Sequence, residues 1–372
     1  MTKTVVVLGG AYAGVGVAHR LLKHTKPQVP DLKVILVSKN SHFFWNLASV
    51  RAIVPGQLKE EQYSLPIEKG FAKYPADSFE FIVGGAEAVD VAAKTVKVST
   101  KDGERLLSYD HLVCATGTRA VDAAVPWKSS GTYEETAAVL AQIQAKVRTA
   151  KHIVVAGAGA TGVEAAAELA FEYGKEKEVV LLSGDAEILG GDSLASNVAG
   201  ELAKLGVGIR RSARVEGARE LPDGKTEVLL AGGDKIVTDL YLPTMGMAAN
   251  TEYLPAELLT DRKFVDIDEF YRAKGAKDVW AAGDIVWKPR GSFVLADKQA
   301  GGVAKNIDLA LKGKPPVVVK TLPMDVLMVA TGRSRGSGRL GPVKVFSIMV
   351  YMIKGKTLGI QQLPTYVDGS AF

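Results

Sequence analysis

The stretch HIVVAGAGATGVEAAAELAFEYG, residues 152–174, decides the fold. It opens on a short apolar run rich in β-branched residues and meets a complete G-x-G-x-x-G at Gly157, Gly159 and Gly162. An alanine-rich, helix-favouring stretch follows. A buried strand, a tight glycine turn and a helix in that order suit a pyrophosphate. The turn lets backbone N–H groups approach the phosphates, and the helix start adds its dipole. A single fingerprint of this kind is a weak signal, because glycine is common wherever a strand turns into a helix. The surrounding chain makes it strong.

Towards the N-terminus the same signals occur once already, in VVVLGGAYAGVGVAHRLL, residues 5–22. An apolar β-run at 4–8 meets Gly9, Gly10 and Gly14, with Ala11 at the middle fingerprint position and Tyr12 and Ala13 between. A second buried strand follows each turn, KVILV at 33–37 and EVVLL at 178–182. Each half then carries a run of short strands with glycine turns, 79–117 and 226–246. The first closes on Thr116-Gly117 and the second on Thr244 and Gly246. Repetition of the whole pattern predicts an α/β protein with two Rossmann-like dinucleotide-binding domains, each with a β-meander, and a small C-terminal segment. The expected boundaries are 1–122 and 249–320 for the first domain, 123–248 for the second, and 321–372 for the segment.

The acidic residue expected at the end of the second strand is missing from both halves. Ser38, followed by Lys39, stands there in the first and Ser183 in the second. A carboxylate would grip the ribose hydroxyls and repel a 2′-phosphate, whereas serine binds ribose and repels nothing. For the second half this leans towards NADPH, with Lys175, Lys177, Arg210 and Arg211 as cations that folding can bring near. Asp185 is a rival ribose ligand that favours NADH, and the choice stays open. A third signal is DVWAAGDIV, 278–286, where a buried strand ends in Gly283-Asp284. This is either an ordinary turn or a carboxylate placed against the hydroxylated chain of a flavin.

Composition narrows the class. The chain has 372 residues, 47% hydrophobic and 23% charged, with a formal charge of +5. That admits anionic ligands, but no basic stripe interleaved with aromatics is present, so no nucleic acid is expected. Cys114 is the single cysteine, which excludes an internal disulfide or a dithiol relay and points to a reducing, cytoplasmic setting. The five histidines lack ligand spacing, and no metal is expected. No leader segment, N-terminal myristoylation site or membrane-spanning run is expected either.

The motifs VVVLGGAYAG, SHFFWNLASVR, LVCATGTRA, VVAGAGATGVEAAAEL and VWAAGDI together resemble the two-dinucleotide-binding-domain flavoproteins. The similarity runs from Val5 to about Tyr351. It is greatest to the branch of apoptosis-inducing-factor-2 and ferroptosis-suppressor proteins, akin to type II NADH dehydrogenases. The resemblance implies FAD in the first domain and NADPH or NADH in the second. By position, it puts the FAD pyrophosphate on the turn from Gly9 to Gly14 and the adenosine ribose near Ser38 and Lys39. Asn46 and Arg51 would flank the flavin, Thr116-Gly117 would close its site, and Asp284 would take the ribityl chain. Gly157, Gly159 and Gly162 would take the nicotinamide nucleotide, with Glu164 close to flavin and nicotinamide. FVLADKQAGGVAKNI, 293–307, resembles the helix aimed at the flavin. There Lys298 and Gln299 are either site residues or the ordinary face of a helix.

The activity so implied is a hydride transfer from NAD(P)H to flavin, then electron delivery to a quinone-type acceptor or dioxygen. Three rivals stand beside it: a specialised flavin oxidoreductase acting on a biosynthetic intermediate, a nucleotide-binding redox sensor or cell-death protein with little turnover, and a reductase of a small iron–sulfur protein. At the C-terminus, basic Arg333, Arg335 and Arg339 precede an apolar run at 343–353 flanked by Lys344, Lys354 and Lys356. This run either lies in a membrane interface, placing the protein peripherally on that surface, or forms a core element covering the substrate side.

Overall fold

A computed structural model describes residues 2–129, 131–286 and 291–372. Strand β1 (Lys3–Leu8) enters the glycine turn and helix α1 (Tyr12–Arg20) leaves it. Strand β2 (Leu32–Ser38) lies parallel beside β1, and a short helix α2 (Ser49–Ala52) follows. Strands β3 (Phe79–Asp90), β4 (Thr95–Thr100), β5 (Gly103–Ser108) and β6 (His111–Cys114) come next. Val5–Val7 and Leu112–Cys114 are fully buried, as uninterrupted apolar runs require when both sheet faces are covered. The long β3 runs parallel to β2 over Phe79–Val83 and then pairs antiparallel with β4 from Gly84. A side chain at Gly84 would meet Ser99 O at 2.4 Å, so this change of partner needs glycine.

The chain then crosses, on β7 (Thr118–Ala120), to the second half. Helix α3 (Tyr133–Thr149) leads to β8 (His152–Ala156), the second glycine turn, α4 (Ala160–Tyr173) and β9 (Glu178–Leu182). Helix α5 (Ala195–Lys204) precedes β10 (Gly208–Arg210). A meander of β11 (Val215–Glu220), β12 (Thr226–Leu230) and β13 (Lys235–Thr238) leads into β14 (Leu240–Pro243). The parallel sheet here has the order β10-β9-β8-β14. The return strand β15 (Met247–Ala249) pairs antiparallel with β7, so both crossings lie in one ribbon.

Strand β16 (Val279–Ala281) completes the first sheet, whose order is β16-β6-β1-β2-β3-β4-β5. Helix α6 (Phe293–Leu311) packs on α1, where an added Cβ at Gly16 would be 3.4 Å from Ala300 Cβ. The two nucleotide-fold halves, each with its own three-stranded meander, are those the internal duplication predicts.

The C-terminal segment is a small antiparallel sheet, β17 (Val326–Ala330), β18 (Gly336–Leu340) and β19 (Val343–Val345). Helix α7 (Ser347–Val350) continues as a wider turn over Tyr351–Gly355, and α8 (Leu363–Val367) returns to the first half. Fully buried His19 of α1 anchors α8: its Nε2 donates to Val367 O at 2.9 Å, and Tyr74 donates to Nδ1 at 3.0 Å. The imidazole stacks on Phe71 at 3.8 Å.

The C-terminal apolar run does not form a core element. Within 343–353 only Val350 is fully buried, whereas Phe346 is 78% exposed and Val343, Ile348, Met352 and Ile353 are all more than half exposed. Among the described residues no helix is long and apolar enough to cross a membrane.

Candidate functional site

The first glycine turn is built on close backbone approach. Gly9 has φ 118°, and a side chain there would meet Ala115 O at 2.2 Å; one at Gly14 would meet Gly9 O at 1.8 Å. Ala11 caps α1 in extended conformation and is exposed. At its counterpart Gly159, an added Cβ finds nothing within 4 Å. A methyl at this position thus clashes with no part of the chain and projects where the ligand approaches. Among the described residues the buried Tyr12 hydroxyl has no hydrogen-bond partner, and burial raises its pKa well above the ordinary value. Phe43, Trp45 and Phe293 wall its ring with centroids at 5.1 Å.

Both strand-end serines serve their own loops. Ser38 Oγ donates to Asn40 O at 2.7 Å, and Ser183 Oγ donates to Glu187 O at 3.1 Å. The protons of both hydroxyls thus fold the loops that follow the strands, which leaves each serine oxygen able only to accept from a ribose hydroxyl. Ser38 still lines the cleft, as does exposed Lys39; Ser183 is buried away from it. Lys175 and Lys177 also miss the second ribose position. They precede β9, and Lys177 Nζ donates to Arg148 O and Ala150 O at the opposite end of the sheet.

Thr116 and Gly117 line the same cleft, Thr116 Oγ1 donating to Asn250 O at 2.7 Å. Asn46 lines it too, its Nδ2 donating to Trp127 O at 3.1 Å. Gly283 and Asp284 follow β16, and Asp284 pairs with Lys128 at 2.7 Å. Lys128 also lines the cleft and was not identified by sequence; it sits in a linker with no motif around it. The first residues of α6, Phe293 to Ala296, face the cleft, but Lys298 and Gln299 do not. Lys298 is exposed on the outer face. Gln299 is buried, and its Oε1 accepts from Gly283 N at 2.8 Å, so it holds the turn that presents Asp284.

In the second turn Gly157 has φ 104°, and Thr244 Oγ1 donates to Gly157 O at 2.7 Å. Gly157 and Gly162 shape the turn from behind. Gly246, with φ 75°, lies in the return towards β15, where its carbonyl accepts from Val121 N at 3.0 Å. Gly159, Ala160, Thr161 and Glu164 face the cleft. Buried Glu164 accepts from Ala330 N at 2.8 Å and pairs with Lys354 Nζ at 2.6 Å. Lys354 Nζ also donates to Met328 O at 3.0 Å. Lys354 is thus turned into the cleft, not towards a lipid surface, a placement invisible in sequence because its partner lies on a distant helix.

Arg51 is used differently from the expectation that it flanks the flavin. It does not line the cleft; its guanidinium clasps Glu168 of α4 at 2.7–3.1 Å and donates to the carbonyls of Gly355 and Lys356. Arg333 adds a second cation to Glu168 at 3.0 Å and reaches Glu172 at 2.7 Å. Glu164, Glu168 and Glu172 recur every fourth residue, so one face of α4 carries three carboxylates, each held by a cation from elsewhere in the chain.

These parts share one cleft of about 1320 Å³, running from Gly9–Ala13 past Gly159 and Glu164 to Leu322, Met324, Met328 and Ile353. Tyr12 and Thr118 line it, together with the glycine cradle and a helix start, and among the described residues their buried hydroxyls have no hydrogen-bond partner. Those groups fit an extended, phosphate-bearing ligand. Cys114 is fully buried, which pushes its thiol up to about 12 and keeps it unreactive.

The fold and site define a two-nucleotide flavoprotein reductase. Residues 3–310 match the model of the pyridine nucleotide-disulphide oxidoreductase family, and the chain belongs to that family. FAD and NAD(P)H are accordingly its cofactors. The chain is similar to oxidoreductase ptaL of Pestalotiopsis fici, 40% identical over 371 residues and 99% of each chain. Ferroptosis suppressor protein 1 of Homo sapiens is 28% identical over 380 residues, covering 95% of this chain and 93% of that protein. Among solved structures, the sulfide:quinone oxidoreductase of Aquifex aeolicus aligns with a TM-score of 0.79 at 18% identity, over 99% of this chain and 92% of that one.

Proposed function

We propose that this oxidoreductase takes hydride from NAD(P)H and passes electrons to a quinone-type acceptor, with dioxygen as a lesser route. The observation that carries the reading is the single cleft lined by both glycine turns and by an apolar C-terminal end. FAD, when bound, supplies the hydride acceptance and two-electron storage that no side chain here provides.

The chain's own residues bind, orient and supply protons. Backbone N–H groups of the turn from Gly9 to Ala13 and the start of α1 hold the FAD pyrophosphate, and Asp284 with Lys128 meets the ribityl hydroxyls. The turn at Gly159–Thr161 and the start of α4 hold the second pyrophosphate. Glu164 is held by Ala330 N and Lys354, which fixes its carboxylate beside the nicotinamide position. An ammonium has three protons to donate. Two of those on Lys354 go to Glu164 and Met328 O, leaving the third for an incoming carbonyl oxygen. Leu322, Met324 and Met328 give that end an apolar lining.

A lone, buried, unreactive thiol leaves no dithiol relay in the chain, which favours direct delivery to a diffusible acceptor. Ile353 belongs both to the cleft lining and to the exposed apolar surface, so that surface reaches the cleft. This continuity favours a lipid-soluble quinone entering from a membrane surface, and the quinone named for the Aquifex aeolicus enzyme supports the same acceptor class.

The test is the visible spectrum of the purified holoprotein without oxygen. NADPH or NADH should bleach the yellow colour, and a short-chain ubiquinone should restore it. Failure of both nucleotides to bleach it, or recovery with dioxygen but with no quinone, would count against this reading.

A further inference from the structure

Resting on the second glycine turn as a pyridine-nucleotide site, we propose that the chain prefers NADPH and that Arg214 and Arg210 read its 2′-phosphate. In a strand–turn–helix nucleotide unit the adenosine ribose lies at the carboxyl end of the second strand. Here that end is Leu182, the last residue of β9. The loop that follows is stitched to the segment after β10 by three backbone bonds. Ser183 N donates to Arg210 O at 2.8 Å, Ala213 N to Ser183 O at 2.7 Å, and Ser212 N to Asp185 O at 3.0 Å. Arginines distant in sequence therefore flank the ribose loop. A Cβ added to Gly184 would lie 3.7 Å from the Cα and Cβ of Arg214 and 3.9 Å from its Cγ, so the Arg214 side chain leaves the backbone against that loop.

Charge balance gives the direction. Arg211 is engaged by Glu187 at 3.5 Å. Arg210 and Arg214 are exposed, and among the described residues neither side chain has a hydrogen-bond or ion-pair partner. Against these two guanidiniums the loop 183–187 offers one further carboxylate, exposed Asp185. A carboxylate at the strand end would have gripped the ribose hydroxyls and repelled a phosphate. That position is Ser183, whose hydroxyl already donates to Glu187 O. Guanidinium forks suit phosphate oxygens, and a 5′-linked adenosine without the 2′-phosphate offers them only neutral hydroxyl oxygens, which bind more weakly.

The experiment titrates the holoenzyme with 2′,5′-ADP and 5′-AMP by calorimetry, so the readout does not depend on turnover. The expected result is 2′,5′-ADP binding about tenfold tighter or more, the worth of one charge-assisted hydrogen bond. Arg214→Ala and Arg210→Ala should each shrink that ratio severalfold, with the kcat/KM ratio of NADPH to NADH falling in parallel, and Asp185→Asn should enlarge it. Both arginines are exposed, so melting temperature serves as the control for folding. Equal binding of the two fragments, tighter 5′-AMP, or a ratio untouched by both variants overturns the proposal while leaving the oxidoreductase reading standing. If neither fragment binds, the second turn is not a nucleotide site and both readings fall.

Discussion

Lys354 and Glu164 form one ion pair within the cleft, where the proposed function puts the meeting of flavin and nicotinamide. Replacing Lys354 by Met removes the countercharge of a buried carboxylate and, in the proposed mechanism, the proton offered to the acceptor. The expected outcome is a fall of about 10²-fold in quinone-dependent turnover, the usual worth of a positioned acid. Stopped-flow absorbance should separate a slow oxidative half-reaction from a much less affected reductive one. Equal slowing of both halves would place Lys354 in nucleotide binding instead. The glycines were legible in sequence because their role is a backbone geometry that few other residues adopt. Ser38 and Ser183 were legible as positions but not as roles, since the direction of a hydroxyl depends on the loop that closes over it. Lys128 and Lys354 were not legible, because each acquires its meaning from a residue far along the chain.

Among the elements, α4 carries most of the coupling. Its start forms the second glycine turn, and its three evenly spaced carboxylates are held by Lys354, by Arg51 with Arg333, and by Arg333 again. The Arg51–Glu168 pair is almost wholly buried, with side chains 6% and 1% exposed. Removing one member of such a pair strands the other in a dry interior. Glu168→Ala should therefore cost about 3–5 kcal/mol, read as a lower midpoint in chemical denaturation. Glu168→Ala combined with Arg51→Met should recover much of that loss. The strand, turn and helix order of both halves was readable because apolar runs and glycine punctuation are local signals. The C-terminal segment was not, since an apolar run of eleven residues reads alike whether buried or exposed. Its exposed face predicts co-sedimentation with anionic phospholipid vesicles, lost when Phe346 and Ile348 are changed to Ser and unaffected by a Val83→Ser control on the first meander.

For the molecule as a whole, the fastening of α8 to α1 makes stability depend on pH. Burial lowers the pKa of His19 from 6.5 to about 4, and its two ring nitrogens are matched to the neutral tautomer. The unfolded chain thus binds this proton more readily than the folded one. The stabilisation is complete above pH 6.5, declines as the pH falls towards 4, and changes no further below that. The window is worth on the order of 3 kcal/mol, and thermal melts between pH 7 and 4 should show it. His19→Gln should flatten that part of the curve. The ribbon of β7 and β15 has a consequence of another kind. Ala120 and Met247 are direct partners across it, so the second half leaves and rejoins the first at adjacent points. Such an insertion behaves as a cassette: excising 121–246 and joining the ends by a two-residue hairpin turn leaves every strand of the seven-stranded sheet in place. What would not survive the excision is charge balance at its borders: Arg51, Arg333 and Lys354 lose the carboxylates of the departing helix, and Asp284 loses Lys128. Any chimaera that exchanges nucleotide halves between relatives must therefore carry a matching carboxylate on its incoming helix.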